Sequence, residues 1–206
     1  MPMAARKMEE EGDSHQMNLR NCILMLLAVA LPALAGPPLI CHPIEIGAAR
    51  SLPWRTDAQG WDATDRSYDA AAKLIPDTLA LLGKDTPLPV RMETMRRASI
   101  YASRDVRLAQ ELAGKLDARA NETQTSLALF DAGYWIETVR QASFIYRYDM
   151  LSPAEKPAWQ IRKGLPGRDG LPMVKQAIAK EAVPGMEKAL APIEEYRRAD
   201  LAHASR

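Results

Sequence analysis

Apolar residues recur at helical spacing from Asp62 to the end of the chain, and this periodicity constrains the fold more than any other feature. Alanine is frequent in this part and runs of β-branched residues are scarce, which favours helices. The pattern predicts helices over residues 62–83, 88–103, 105–120, 124–149, 153–162, 171–182 and 185–203. Pro76 predicts a kink or break in the first of them. We therefore expect an all-α domain over residues 62–206, built from antiparallel helical hairpins.

Residues 36–61 precede the helical part and are rich in proline and glycine. Each proline disfavours the helical conformation of the residue before it. The prolines concerned are Pro37, Pro38, Pro43 and Pro53. The sequence therefore predicts an extended N-terminal arm over residues 36–61, which lies across the helical domain.

Residues 1–35 are an N-terminal extension with the features of a secretory signal. In MNLRNCILMLLAVALPALAG, which begins at Met17, Arg20 precedes an apolar run that ends before Pro32, and small residues follow up to Ala35. We expect cleavage near Ala35–Gly36 and a periplasmic or secreted protein. Residues 1–16 fit a signal poorly, so either the charged region is unusually long or translation starts at Met17.

The apolar run of the signal also bears on membrane association. It is shorter than the roughly 20 residues that a spanning helix needs, so we expect no stable membrane span after cleavage. An uncleaved membrane anchor is the alternative. A lipoprotein signal is disfavoured, because Ile40 precedes Cys41 where a small residue is required.

The charge of the chain argues against nucleic acid as a partner. The formal net charge is +1, and removal of residues 1–35 takes away three basic and four acidic residues, which gives +2. A nearly neutral protein offers no electrostatic case for binding nucleic acid.

Cys41 and His42 open the segment CHPIEIGAARSLPW and are the sharpest candidates for chemistry. Cys22 would leave with the signal, so Cys41 would have no cysteine in its own chain to pair with. One hypothesis is a metal site formed by Cys41, His42 and a distant carboxylate or His203. Thiol catalysis is less favoured, since neighbours on an extended arm point to opposite sides. The alternative is a packed arm with a buried thiol, and no cofactor is predicted.

Large aromatic residues are the candidates for a ligand groove or for packing between helices. They are Trp54, Trp61, Tyr134, Trp135 and Trp159. Tyr134 and Trp135 are adjacent, so on a helix they face different sides. Three carboxylates at Asp62, Asp65 and Asp69 would share one face of the first predicted helix, and a favourable interaction with the helix dipole explains such a stripe.

The helical part also shows a weak internal repeat. Tyr68, Tyr101 and Tyr134 are spaced by 33 residues. The segment ALFDAGYWIETVRQA (Ala128–Ala142) resembles the first helix and turn of a tetratricopeptide repeat, although the early tryptophan and late proline of that family are missing. The resemblance implies a short solenoid over residues 65–150 with a concave binding face. An ordinary helical bundle is the alternative.

The arm CHPIEIGAARSLPW, together with TLALLGKDTPLPVRMETMRRASIYA, is similar to a group of uncharacterised exported bacterial proteins. The resemblance implies a bacterial exported protein whose arm belongs to the domain, and it implies no activity. The residues favour a non-catalytic helical-repeat protein that binds or scaffolds a protein or peptide partner. The alternative is a metal-binding or thiol-dependent protein that uses Cys41 and His42.

Overall fold

The computed structural model describes residues 36–55, 63–103, 105–143, 165 and 167–204. Within these ranges the chain forms seven helices and no β-strand, which confirms the prediction of an all-α fold. The helices are α1 (Pro38–Cys41), α2 (Ala70–Leu81), α3 (Leu88–Ala102), α4 (Val106–Thr123), α5 (Ser126–Ala142), α6 (Leu171–Lys180) and α7 (Met186–Ala204). The sequence from Pro37 onward forms one compact unit. None of the described helices is both long and apolar enough to cross a membrane.

The longer helices lie close to where the periodicity predicts them. Helices α3, α4, α6 and α7 begin within one residue of the predicted positions, and α5 begins two residues late. Polar side chains explain two of these starts, because Asp105 accepts a hydrogen bond from the Arg107 amide and Thr125 accepts one from the Ala128 amide. The helix predicted over 153–162 lies outside the described residues.

Helix α2 differs from its prediction at the N-terminal end. A helix from residue 62 is wrong, because Thr64 forms an isolated antiparallel bridge with Trp54 and the Asp69 side chain caps a helix that starts at Ala70. Asp65 lies outside the helix and accepts hydrogen bonds from Ser67. The predicted carboxylate stripe therefore does not form, and Asp62 itself is not among the described residues. Pro76 lies inside α2 and does not end it.

The arm contains one turn of helix that the sequence analysis excluded. Residues Pro38–Cys41 form α1, with Pro38 in the first turn, where a missing amide hydrogen costs no hydrogen bond. The Cys41 amide donates to the Pro37 carbonyl at 2.9 Å. Cys41 is thus helical, and the irregular part of the arm begins at His42.

Helix α5 is the centre of the domain. It packs against α1, α3, α4 and α6, and most of its side chains are buried. A buried carboxylate on α5, Glu137, also ties down the C-terminal hairpin: it accepts hydrogen bonds from Arg197 of α7 at 2.7 and 3.0 Å and from the Gly170 amide at 2.8 Å. The central helix therefore holds its neighbours through polar as well as apolar contacts.

Helices α5 and α6 cross in backbone contact at Gly133 and Gly170. A Cβ atom on Gly133 would lie 2.6 Å from the Gly170 carbonyl oxygen and 2.8 Å from the Met173 Cβ, both too close for real contacts. Glycine at these two positions therefore sets how closely the helices approach.

We expect Gly133→Ala to lower the free energy of unfolding by about 1–3 kcal/mol, because the added methyl group forces the helices apart. The matched control is Gly114→Ala on α4, where a Cβ would meet nothing within 4 Å. That change should raise stability by about 0.5–1 kcal/mol, since alanine favours the helix. Urea unfolding followed by circular dichroism measures both. Equal stability of the two variants would contradict the close crossing.

Candidate functional site

Cys41 and His42 lie at the C-terminal end of α1. The Cys41 side chain is half-buried, and burial raises the pKa of its thiol, while the nearby charge of Arg96 opposes the rise. A raised pKa disfavours the reactive thiolate. His42 is exposed. Among the described residues, no three His, Cys, Asp or Glu side chains group in a way that could hold a metal ion, and the side chain of His203 is not described.

The predicted aromatic residues separate into two kinds. Tyr134 and Trp135 are fully buried: the Tyr134 ring stacks on Phe130 at 5.2 Å, and the Trp135 ring nitrogen donates to the Ala109 carbonyl at 3.3 Å. They pack the core and line no surface groove. Trp54 is half-buried. Trp61 and Trp159 lie outside the described residues.

Trp54 is held in place by three side chains of α3. The guanidinium carbons of Arg96 and Arg97 lie 4.9 and 5.4 Å from its ring centre, which is the geometry of cation–π contacts. The ring also meets Tyr101 edge to face at 6.1 Å. Trp54 therefore fixes this part of the arm on α3.

One side of α3 binds the backbone of the arm. We call Glu93, Thr94, Arg96, Arg97 and Tyr101 the arm-binding face. Their spacing places most of them on one side of the helix. Along the first part of the arm, Arg96 donates to the Ile40 carbonyl at 3.0 Å, and the Ile44 amide donates to Glu93 at 3.0 Å.

The arm-binding face holds the second part of the arm in the same way. Arg97 donates to the Leu52 carbonyl at 2.7 Å, and the Tyr101 hydroxyl donates to the Pro53 carbonyl at 2.7 Å. The hydroxyls of Ser51 and Thr94 are hydrogen-bonded at 3.0 Å. The irregular arm thus finds on α3 the partners that its backbone polar groups need.

The apolar side chains of the arm are part of the core. Leu39, Ile40 and Leu52 are buried and belong to the main hydrophobic cluster. Each fully buried side chain of this size contributes about 1.5–3 kcal/mol. The arm is therefore a structural part of the domain, and the exposed residues 47–50 form a loop between two anchored segments.

Glu93 is the charge on which the arm contacts converge. It is 1% exposed and accepts hydrogen bonds from Arg96 at 2.7 and 2.9 Å and from Arg97 at 2.7 Å. Burial disfavours the charged form of Glu93, but these bonds and the Ile44 amide together outweigh burial and hold its pKa below the usual value. Glu93 is therefore ionised in the folded protein at neutral pH.

We expect Glu93→Gln to lower the free energy of unfolding by about 3–5 kcal/mol, because it leaves the buried Arg96 without its charge partner. The Ile44 amide should also exchange its hydrogen faster. Glu111→Gln, an exposed change on α4, is the control and should stay within about 0.5 kcal/mol of the parent.

The pH dependence of the same pair of variants tests the charge itself. A lowered carboxyl pKa contributes stability above the unfolded value, about pH 4.3, that is lost as the pH falls through the folded value. Glu93→Gln should therefore flatten the acid limb of the stability curve, while Glu111→Gln should not. If the acid limb of Glu93→Gln matched that of the parent, the loss of stability in acid would come from another group.

A second buried charge cluster lies near the N-terminal end of α3. Arg91 and Asp131 are fully buried and meet at 2.5 Å, and the partly exposed Arg119 approaches the same carboxylate to 3.8 Å. Burial raises the pKa of Asp131, and the charges of Arg91 and Arg119 oppose the rise. The two guanidinium groups thus offset part of the cost of burying this carboxylate.

This cluster holds the turn between α2 and α3. Arg91 donates to the Gly83 carbonyl at 2.5 Å and to the Leu82 carbonyl at 3.2 Å, and Arg119 donates to the Leu82 carbonyl at 2.6 Å. These carbonyls follow the end of α2 and have no helical partner of their own. The α2–α3 turn is therefore bound to the core by charged hydrogen bonds.

A surface pocket of about 520 Å³ lies between the arm and the α2–α3 turn, and we call it the arm–turn pocket. Its apolar lining includes Ala80, Leu81, Pro87 and Val90. Its charged lining consists of Arg50 from the arm and Lys84 and Asp85 from the turn. The pocket is the candidate functional site.

The buried charges and the pocket were not predicted from the sequence. Charged residues on a helix usually lie on a solvated face, and arginine, glutamate and aspartate are rarely buried without a partner. The available signal was that α3, LPVRMETMRRASIYA, has no clean polar face, which is typical of a helix surrounded by protein.

Comparison of the chain with models of protein families, with curated proteins and with solved structures finds no match.

Proposed function

We propose that this chain is an exported, non-catalytic helical protein that binds a peptide or protein partner at the arm–turn pocket. The observation that carries the proposal is that both walls of the pocket are attached to α3 by arginine side chains. Arg97 holds Leu52, two residues from Arg50, and Arg91 holds Gly83. The turn wall is therefore held directly and the arm wall is anchored two residues away, which prepares the pocket for a ligand before the ligand arrives.

The cost of the buried charges supports this proposal. A buried ion pair loses its hydration, and an apolar replacement of similar volume is often as stable. What an apolar pair could not replace is the contact of Arg91 with the Leu82 and Gly83 carbonyls, which fixes the position of the α2–α3 turn. A turn held in one position suits a surface that recognises a ligand.

The size and lining of the pocket also support binding. Ligand pockets commonly measure about 300–1,000 Å³ and combine apolar walls with a few polar groups. The arm–turn pocket, at about 520 Å³, has this composition. The thiol alternative gains no support from Cys41, whose pKa is raised by burial.

Export and the helical repeat are further parts of the proposal. The signal features at residues 17–35 support export, and the compact unit starts at Pro37, close to the predicted cleavage. The tetratricopeptide-like repeat stays a prediction. Tyr68 precedes α2, whereas Tyr101 lies near the end of α3 and Tyr134 in the middle of α5, so the three tyrosines do not occupy equivalent positions.

Export can be tested by expressing the chain in a Gram-negative host and measuring the intact mass of the protein in each fraction. We expect a periplasmic or secreted chain that begins at Gly36, because small residues precede that position. Ala35→Arg should block cleavage and leave the precursor with the membrane. A parent chain that keeps residues 1–35 would support the uncleaved anchor instead.

Binding can be tested by panning a phage-displayed peptide library on the chain that begins at Gly36. We expect enriched peptides whose affinity falls at least about tenfold in Ala80→Glu, since a charge placed in the apolar lining must lose its hydration when a ligand binds. Ala179→Glu, at another exposed helical alanine, is the matched control and should leave affinity unchanged. Peptides that bind both variants equally would exclude the pocket as the binding site.

A further inference from the structure

Two cationic side chains enter the arm–turn pocket from different segments. Arg50 belongs to the arm, Lys84 belongs to the α2–α3 turn, and both are exposed. Among the described residues, neither makes a hydrogen bond or an ion pair, whereas Arg91, Arg96 and Arg97 all have such partners. The two walls of the pocket thus each present a positive charge that is available to a ligand.

The charge balance of the pocket favours an anionic group on the ligand. Arg50 and Lys84 outnumber Asp85, which leaves the lining with a formal charge of +1. Helix α3 also begins here, and the positive end of its dipole adds to the attraction of the two cations. Asp85 can accept a hydrogen bond from an amide of the bound ligand, as an ionised carboxylate does.

The apolar lining limits where that anionic group can be attached. Ala80, Leu81, Pro87 and Val90 lie in the same pocket as the two cations, so the ligand must bring a carboxylate and an apolar side chain close together. The last residue of a peptide carries both on one carbon atom. An internal peptide segment has no backbone charge, and an acidic side chain brings no apolar group of its own.

We infer that the arm–turn pocket captures the C-terminal residue of a peptide or protein with an aliphatic side chain, its carboxylate bound between Arg50 and Lys84. Capture of a terminal carboxylate is one of the recurring modes of peptide recognition. The inference rests on the proposed function, and it specifies which part of the partner enters the pocket.

The test uses an acetylated tripeptide of two alanines and a C-terminal leucine, prepared as the free acid and as the amide. Binding to the ¹⁵N-labelled chain that begins at Gly36 is followed by amide shifts in two-dimensional NMR. We expect the free acid to shift the amides of Ala49, Gly83 and Thr86, and the amide form to bind at least about fivefold more weakly. Added salt should weaken the binding of the free acid, since exposed charges are screened.

Substitution of the two cations separates their roles from a general loss of charge. Arg50→Gln and Lys84→Gln should each lower the affinity for the free acid about fivefold and leave the weak binding of the amide unchanged. Lys180→Gln, on an exposed turn of α6, removes the same charge elsewhere and should have no effect. All three positions are exposed, so the thermal unfolding of each variant should match the parent.

The outcomes separate this inference from the proposed function. Equal binding of acid and amide at these resonances would overturn carboxylate capture while leaving a peptide-binding pocket. If an amidated peptide with an internal glutamate bound as tightly as the free acid, carboxylate capture at the C-terminus would be overturned, and the pocket would instead bind an acidic side chain. Absence of shifts with either tripeptide would also overturn it, and the panning experiment would then decide whether the pocket binds peptides at all.

Discussion

Buried arginine–carboxylate pairs on the central helices are the interaction on which the rest of this structure depends. Glu93 pairs with Arg96 on α3, Asp131 of α5 pairs with Arg91, and Glu137 of α5 pairs with Arg197. Each cluster also binds backbone groups outside α3 and α5: the arm, the α2–α3 turn and the segment before α6. A buried charge that loses its partner costs several kcal/mol. Moving one of these segments would remove a hydrogen bond from a buried charge, so the segments stay in place.

The chemistry of irregular segments explains why charged side chains perform this task. Within the described part of the chain, the backbone hydrogen bonds of residues 43–55 to other backbone groups are a turn at Ile46–Ala49 and the contact of Arg55 with Ala63, next to the bridge between Trp54 and Thr64. A buried backbone group without a hydrogen bond is destabilising. Arginine reaches far and carries several donors, so Arg96 binds Glu93 and the Ile40 carbonyl with one side chain. Leucine at that position could fill the volume but could not hold the arm.

The sequence predicted what depends on periodicity and failed where a few local or distant contacts decide. Helices α3 to α7 begin within two residues of their predicted starts, because apolar residues recur along them at helical spacing. The start of α2 depends on the Asp69 cap, and α1 depends on a proline in its first turn, so a general rule about proline missed it. The arm–turn pocket depends on partners 8 to 45 residues apart in sequence, as between Arg97 and Leu52, and local patterns hold no information about such pairs.

One helix anchors a segment on each side of the pocket. Arg91 and Arg97 are six positions apart on α3, which separates their Cα atoms by about 9 Å along the helix axis. Arg91 holds Gly83 in the turn wall and Arg97 holds Leu52 beside the arm wall, so both segments are attached to the same helix. An irregular loop on each side would otherwise move independently. Because both segments are attached to the same helix, a ligand that spans the pocket has less of the walls to order, and more of its contact energy appears as affinity.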